Sequence, residues 1–269
     1  MRQPDPMRTA LSASFLASLF LVTACAGKAQ GDQAQEQAQG APETKHDEGD
    51  MKHGHGEGHG HHAHGEGHGD NGHGYKGHRF ENPADWTEHF ESAERTAWQK
   101  PDEVVAALGL RPDAIIADVG AGTGYFAVRL AAAAPKGKVF AVDIEPGMVE
   151  WLGKRAKEQG LSNMIAVQGK SDSPALPEAV DVVFMCNVIH HIEDPTAYFA
   201  GVAGSLRPGG KVVIVDFRKD NPDDAPGPPA AMRMSVEQIS GIMSAAGYHL
   251  AAENQDLLQY QVMLTYARD

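Results

Sequence analysis

The 269-residue chain has few cysteines, few aromatic residues and a shortage of basic side chains. It contains two cysteines, and aromatic residues make up 7% of it, so we expect a mainly aliphatic core. Lysine and arginine number 23 against 36 aspartates and glutamates, which gives a formal net charge of −13. Binding to DNA or RNA requires clustered positive charge that displaces counterions from phosphates. We therefore expect no nucleic-acid partner.

The first 24 residues have the pattern of a bacterial secretion signal. Arg2 and Arg8 precede an uncharged stretch, residues 9–24, and Cys25 follows it. Residues 22–25, Val-Thr-Ala-Cys, resemble the lipobox of bacterial lipoproteins, in which the cysteine is lipidated and becomes the new N-terminus. The segment predicts an exported lipoprotein, anchored in a membrane through Cys25 and facing the periplasm or the outside.

Two alternatives remain open for this segment. The hydrophobic stretch could persist as an uncleaved leader, and a start at Met7 instead of Met1 would remove the early Asp5 and sharpen the signal. If Cys25 carries lipid, Cys186 is the only other thiol, and no intramolecular disulfide can form in the mature chain.

Residues 25–79 have no apolar periodicity and are predicted to form a disordered tether, because they cannot bury enough surface to offset the entropy of ordering. Histidines in the tether alternate largely with glycine, and imidazole is a common ligand for Zn, Ni and Cu. One hypothesis is a metal-binding tail, and the alternative is a soluble spacer without a specific ligand. The candidate metal ligands are His53, His55, His59, His61, His62, His64, His68 and His73.

Residues 80–269 are predicted to form one doubly wound α/β domain, because short apolar runs alternate with helical stretches. A helix from Ser235 to Ala246 should follow the alternating part, and segments 248–255 and 259–266 should then pair as an antiparallel ribbon. The other strands are predicted near 114–119, 138–143, 164–168, 180–186 and 211–217, and the other helices near 102–108, 124–134, 146–159 and 195–206.

A glycine-rich turn follows the first predicted strand, with Asp118 ahead of Gly120, Gly122 and Gly124. Glycines let the backbone approach a ligand closely, and the start of the next helix offers free N–H groups. Asp143 ends the second strand, at about the offset where nucleotide-binding folds place a ribose-binding carboxylate. The pattern predicts a site for a nucleotide-like ligand.

The spacing of this turn differs from the dinucleotide fingerprint, whose third glycine would stand at Tyr125. The G-x-G-x-G spacing behind Asp118 resembles motif I of the class I S-adenosylmethionine-dependent methyltransferases, and the resemblance extends over about residues 81–269. It implies a seven-stranded, mostly parallel sheet with an antiparallel last strand. It also implies S-adenosylmethionine as cofactor and methyl transfer as the reaction.

The resemblance implies roles for four further groups. Asp118 would order the amino-acid end of S-adenosylmethionine, Asp143 would bind both ribose hydroxyls, and Ile144 would lie against the adenine. Asn187 opens a segment that resembles the family's sequence at the reactive end of the cofactor.

Asp172 follows the third strand, where the family commonly bonds the adenine amino group, although Lys170, Ser171 and Ser173 are alternatives. We interpret Asp181 as a turn residue that enters the fourth strand.

His190 and His191 are candidates for the base that would deprotonate a hydroxyl acceptor, because imidazole titrates near neutral pH. Both could instead cap or pack the loop. Cys186 is interpreted as a small core residue. As the only thiol of the domain, it argues against arsenite methylation, which needs a cluster of thiols.

The acceptor is expected to be a small molecule, bound in part by the proline-rich loop 220–234. The segment from Trp86 to Pro101 either covers the site, as in similar methyltransferases, or packs against the sheet. The sequence leaves the oligomeric state open.

Two rival functions remain. One is a lipid-anchored metal-binding or docking protein with a non-catalytic domain, because export would separate the enzyme from its cofactor supply. The other is a nicotinamide-dependent oxidoreductase, which Tyr125 and the closing strand pair disfavour.

Overall fold

A computed structural model describes residues 83–268, which contain one seven-stranded sheet in the order β3-β2-β1-β4-β5-β7-β6. Strand β7 runs antiparallel to both of its neighbours, and β1 to β5 pair in parallel. The predicted mostly parallel sheet with an antiparallel last strand is therefore confirmed. The strands are β1 (Ile115–Val119), β2 (Lys138–Asp143), β3 (Met164–Gln168), β4 (Val180–Cys186), β5 (Leu206–Phe217), β6 (His249–Asn254) and β7 (Gln261–Ala267).

Helices cover both faces of the sheet. On one face α3, α4 and α5 pack against the strands, with Leu108, Leu130 and Leu152 in a common core cluster. On the other face α6 and α7 contribute Phe199 and Met243. The helices are α1 (Pro83–Phe90), α2 (Ala93–Gln99), α3 (Pro101–Ala107), α4 (Ala127–Ala133), α5 (Pro146–Glu158), α6 (Pro195–Val202) and α7 (Val236–Ala245).

Local sequence signals explain where several helices begin. Ser235 and Gln238 form a reciprocal capping box at the start of α7, as the serine predicted. Pro101 occupies the first position of α3, where its missing N–H costs nothing. The helix predicted from 124 begins only at Ala127, because Gly124 has a φ of +93° that no right-handed helix accepts.

The predicted start of β5 was wrong, whereas the helical stretch before it ends within one residue of the prediction. Helix α6 ends at Val202 and continues as a 3₁₀ turn over Ala203–Ser205, and β5 begins at Leu206 instead of 211. The strand starts early because Leu206 pairs with Val180 across an irregularity in β4.

The interpretation of Asp181 as a turn residue was also wrong, because it lies within β4. One carboxylate oxygen accepts a hydrogen bond from the backbone N–H of Ile115 at 2.8 Å. Arg207 and Arg111 approach the two oxygens at 3.4 and 3.5 Å. Asp181 therefore joins the beginning of β1 to its neighbour β4.

The predicted signal segment, the lipidation site Cys25 and the eight tether histidines lie outside the described residues. Within residues 83–268, no helix has the length and apolar character that crossing a membrane requires.

Replacing Asp181 with alanine is expected to lower the free energy of unfolding by about 1–3 kcal/mol, because the buried N–H of Ile115 loses its acceptor. Urea unfolding followed by circular dichroism measures the change. Asp113→Ala, which removes an exposed partner of Arg111, is the matched control and should have little effect. Equal stability of the two variants would contradict the role of Asp181.

Candidate active site

A cavity of about 700 Å³ opens at the carboxyl ends of β1, β2 and β4. This is where the strand order reverses beside β1, the position at which open α/β sheets bind ligands. Its size lies within the roughly 300–1,000 Å³ of small-molecule pockets. The predicted residues that line it are Asp118, Gly120, Gly122, Asp143, Ile144, Asn187, His190 and His191.

Asp143, at the end of β2, is held by two backbone N–H groups. Gly122 donates to one carboxylate oxygen at 2.8 Å and Glu145 to the other at 3.0 Å. Burial raises the pKa of Asp143, and these hydrogen bonds counteract the rise. Each oxygen keeps lone pairs beyond its single bond, so the fixed carboxylate can still accept hydrogen bonds from a ligand.

Asp118, at the end of β1, has a buried oxygen without a partner among the described residues. The side chain is 3% exposed, and Oδ2 makes no hydrogen bond there. Burial and the charge of Asp143 raise the pKa of Asp118 to about 7, whereas Arg95 and the N–H of Ala127 lower it. An unpaired carboxylate oxygen in such a place is suited to a cationic or hydrogen-bond-donating ligand group.

The glycine turn fits closely beneath the cavity. Gly120 has a φ of +71°, and a Cβ there would lie 2.4 Å from Val188 in the loop after β4. Gly124 faces away from the cavity, and a Cβ on it would lie 3.0 Å from Leu152 in α5. The first glycine thus permits the approach of two loops, and the third permits the packing of a helix.

Tyr125 connects the turn to the helices that precede the sheet. Two guanidinium groups lie over its ring, Arg95 at 4.4 Å and Arg129 at 4.5 Å from the ring centre. Its hydroxyl is 2.9 Å from that of Thr96 in α2. The aromatic residue in place of a third fingerprint glycine therefore anchors α2 over the turn.

Buried amides connect α2, β7 and the loop after β4. Gln99 donates to Gln261 at 2.9 Å, and Gln261 donates to the side-chain oxygen of Asn187. Gln99 also lies 3.1 Å from the Cys186 sulfur. Cys186 is half-buried and lines the cavity as well as packing on the core, so its interpretation as a core residue was incomplete. Burial raises the pKa of its thiol to about 12, which keeps it protonated.

His190 has a carboxylate partner that the sequence interpretation missed. Its Nδ1 is 3.1 Å from Oδ2 of Asp216, and the two side chains are 5% and 3% exposed. In the sequence, Asp216 follows the apolar run of β5, just as Asp118 and Asp143 follow theirs. This shared position could have identified Asp216 as a candidate site residue. The His191 ring lies 4.3 Å from that of His190, and both histidines line the cavity.

The segment before the sheet both lines the cavity and packs against the sheet, the two roles that the sequence left open. Trp86, His89 and Phe90 line the cavity, and the rings of Trp86 and Phe90 stack at 5.5 Å. Trp98 instead packs against Phe217 and Tyr260.

Arg155 holds the end of α1 in place over the turn. It pairs with Glu91 and donates to the carbonyl oxygen of Thr123 at 2.8 Å.

The proline-rich loop 220–234 contributes Gly227 and Pro228 to the cavity lining. Buried Arg233 closes the loop on itself by donating to the carbonyl oxygens of Pro228, Asn221 and Pro222. The wall that this loop forms is therefore held by a cation within the loop.

Asp172, like Gly124, is a predicted site residue that the structure does not bring to the cavity. It is exposed in the turn after β3 and is absent from the cavity lining. Among the described residues, histidine, cysteine and acidic side chains form no group able to hold a metal ion.

Comparisons with known proteins agree with this architecture. Residues 116–210 match the model of a family described as a methyltransferase domain. The chain is 35% identical over 103 residues to the tRNA U34 carboxymethyltransferase of Desulfotalea psychrophila, which covers 37% of this chain and 31% of that protein. It is 34% identical over 98 residues to the malonyl-(acyl-carrier protein) O-methyltransferase of Hahella chejuensis, covering 36% of this chain and 34% of the relative.

The chain thus spans about a third of the length of these curated relatives. A SAM-dependent methyltransferase structure from Aquifex aeolicus has the same fold, with a TM-score of 0.62 and 23% identity, over 69% of this chain and 97% of that one. The structural match confirms the predicted fold, and the family match over residues 116–210 agrees with the predicted methyltransferase.

Asp118→Asn is expected to stabilise the protein more at pH 8 than at pH 5. A carboxyl whose pKa is raised by folding destabilises the native state progressively as the pH rises from its unfolded pKa of 3.8 to its folded pKa, here about 7. The gain at pH 8 relative to pH 5 should be on the order of 2 kcal/mol, from about 1.36 kcal/mol for each pKa unit. Urea unfolding at both pH values measures it.

The exposed Asp102→Asn provides the control for Asp118→Asn, and its effect should not depend on pH in this way. Parallel pH dependence of the wild type and Asp118→Asn would show that the Asp118 carboxyl is not desolvated.

Proposed function

We propose that the cavity binds S-adenosylmethionine and that the chain transfers its methyl group to a small-molecule acceptor. The observation that carries the proposal is the pair of carboxylates at the ends of adjacent strands, Asp143 fixed by backbone N–H groups and Asp118 with an unpaired buried oxygen. The methyltransferase-named relatives and the shared fold support it.

The residues present fit this cofactor. The unpaired oxygen of Asp118 is suited to the ammonium of its amino-acid end, and Asp143 can accept hydrogen bonds from the two ribose hydroxyls. Ile144 is 53% exposed at the cavity and provides an apolar surface for the adenine. No phosphate has to be accommodated beside these carboxylates, as it would in a dinucleotide site.

When bound, the cofactor supplies an electrophilic methyl group on a sulfonium. The chain then has to hold a nucleophile close to that methyl group and in line with the breaking bond. The walls that could hold an acceptor are Trp86 and Phe90 on one side and Gly227 and Pro228 on another. Their aromatic and apolar character favours a small organic acceptor.

The first test is calorimetric titration of the full-length chain with S-adenosylmethionine. Asp143→Asn should weaken binding by roughly 10- to 100-fold, because a hydrogen bond to a charged group contributes about 1.5–3 kcal/mol. Asp172→Asn is the matched control and should bind like the wild type, because this carboxylate lies outside the cavity. Absence of binding to the folded wild-type chain would refute the proposed function.

We further propose that the chain is exported and anchored to a membrane through lipid on Cys25. The proposal is supported by the basic start, the uncharged stretch 9–24 and the lipobox-like residues 22–25. Zn, Ni or Cu binding by the tether histidines remains a prediction from their composition alone.

Metabolic labelling of bacteria with a clickable fatty acid tests the anchor. The wild-type chain should take up label and lose residues 1–24, and Cys25→Ala should do neither. Cys186→Ala, which removes the other cysteine, should keep the label. Label that survives in Cys25→Ala would contradict the proposed lipidation.

A further inference from the structure

We infer that Asp216 positions His190 as a general base, and that the acceptor is a neutral hydroxyl group on an apolar, aromatic compound. The inference rests on the proposed function and specifies the substrate class of the same site. It starts from the contact between Nδ1 of His190, which lines the cavity, and Oδ2 of Asp216, and both side chains are almost fully buried.

The hydrogen bonds of Asp216 determine which nitrogen of His190 carries the proton. The other oxygen of Asp216 accepts from the N–H of Phe217 at 2.7 Å, which fixes the carboxylate on β5. An ionised carboxylate only accepts hydrogen bonds, so Nδ1 of the neutral imidazole must be the donor. The proton therefore sits on Nδ1, and Nε2 has a free lone pair.

Within residues 83–268, the His190 side chain makes one hydrogen bond, from Nδ1 to Asp216. Its Nε2 lone pair is therefore not used by that part of the chain. His190 lines the cavity beside Asn187 and Val188, on the loop that follows β4. A base needs an unprotonated nitrogen at the site and a group behind it that stabilises the charge it acquires. His190 satisfies both conditions, and we therefore assign the base to it.

The base identifies the acceptor chemistry. A thiol is ionised readily and an amine carries its own lone pair, so neither requires proton removal before attack. A neutral hydroxyl does, because its oxygen becomes a strong nucleophile only as the O–H bond breaks. The stacked rings of Trp86 and Phe90 line the cavity, and they favour an acceptor whose hydroxyl is attached to an aromatic group.

The step balances without another reactant. Nε2 of His190 takes the hydroxyl proton, and the O–H electron pair forms the new bond from oxygen to the methyl carbon. The bond from sulfur to that carbon breaks, and its electron pair remains on sulfur as a neutral thioether. The positive charge of the sulfonium thus ends on the imidazolium beside Asp216, and the proton then passes to solvent.

Three variants of the full-length chain test the assignment. His190→Gln removes the base, and Asp216→Asn keeps the acceptor for the Phe217 N–H while its amide can donate to Nδ1. The asparagine therefore favours the tautomer with Nε2 protonated, which cannot accept a proton. Asp216→Glu retains the carboxylate and should restore part of the activity. Glu193→Gln is the matched control, because this residue is exposed on the same loop and lies outside the cavity lining.

Activity is measured on a series of substituted phenols, with thiophenols as acceptors that are already ionised. We expect His190→Gln to lower kcat for phenols roughly 100- to 10,000-fold. Asp216→Asn should lower it by at least about tenfold, because an orienting carboxylate controls the tautomer of a catalytic imidazole. Thiophenol turnover and the S-adenosylmethionine Kd should change little in either variant. Equal losses for phenols and thiophenols, or no phenol turnover by a wild type that binds the cofactor, would overturn the inference.

A second readout does not depend on turnover. Nitrogen-15 NMR of the histidine-labelled chain, with the His190 signals identified by their loss in His190→Gln, reports which nitrogen is protonated. The proton should sit on Nδ1 in the wild type and move to Nε2 in Asp216→Asn. A wild-type proton on Nε2 refutes the base even if the cofactor binds. Loss of cofactor binding in the wild type refutes the proposed function instead.

Discussion

The reversal of strand order beside β1 is the constraint on which the rest of the structure depends. Strands β2 and β3 extend the sheet to one side of β1, and β4 and β5 extend it to the other. The connections after β1 and β4 therefore leave in opposite directions, and a crevice remains between them. Asp118, Asp143, Asn187 and Asp216 come from four different strands and meet there because each stands at or just after the carboxyl end of its strand.

The charge in this crevice follows from the same geometry. The parallel strands place their carboxyl ends at one edge, and three of those ends carry aspartates that are 3–8% exposed, namely Asp118, Asp143 and Asp216. Their hydrogen-bond partners differ. Backbone N–H groups donate to Asp143, an imidazole contacts Asp216, and Oδ2 of Asp118 has no partner within the described chain. Identical side chains thus have different capacities to bind a ligand group because their surroundings differ.

Most of the fold could be predicted from the sequence, because apolar runs and glycine turns are local signals. β2, β3 and β4 begin and end where the sequence predicted, and the glycine turn and Asp143 meet as expected. The partners of the site could not be predicted, since Gln99 and Gln261 lie far apart in the chain and become neighbours only through the sheet. The sequence predicted a cofactor contact for Asp172 and a turn position for Asp181, and only tertiary packing shows that Asp172 is exposed and that Asp181 joins two strands.

The linked amides of Gln99, Gln261 and Asn187 form a part of the structure that does not respond to pH. Amides neither gain nor lose protons in the range where proteins are stable, so their hydrogen bonds stay the same when the surrounding acidity changes. Asp118, with a pKa of about 7, does change its charge near neutrality. Acidification would therefore change how strongly the cavity attracts a cation, while the amide hydrogen bonds that hold Asn187 in the cavity lining would stay the same.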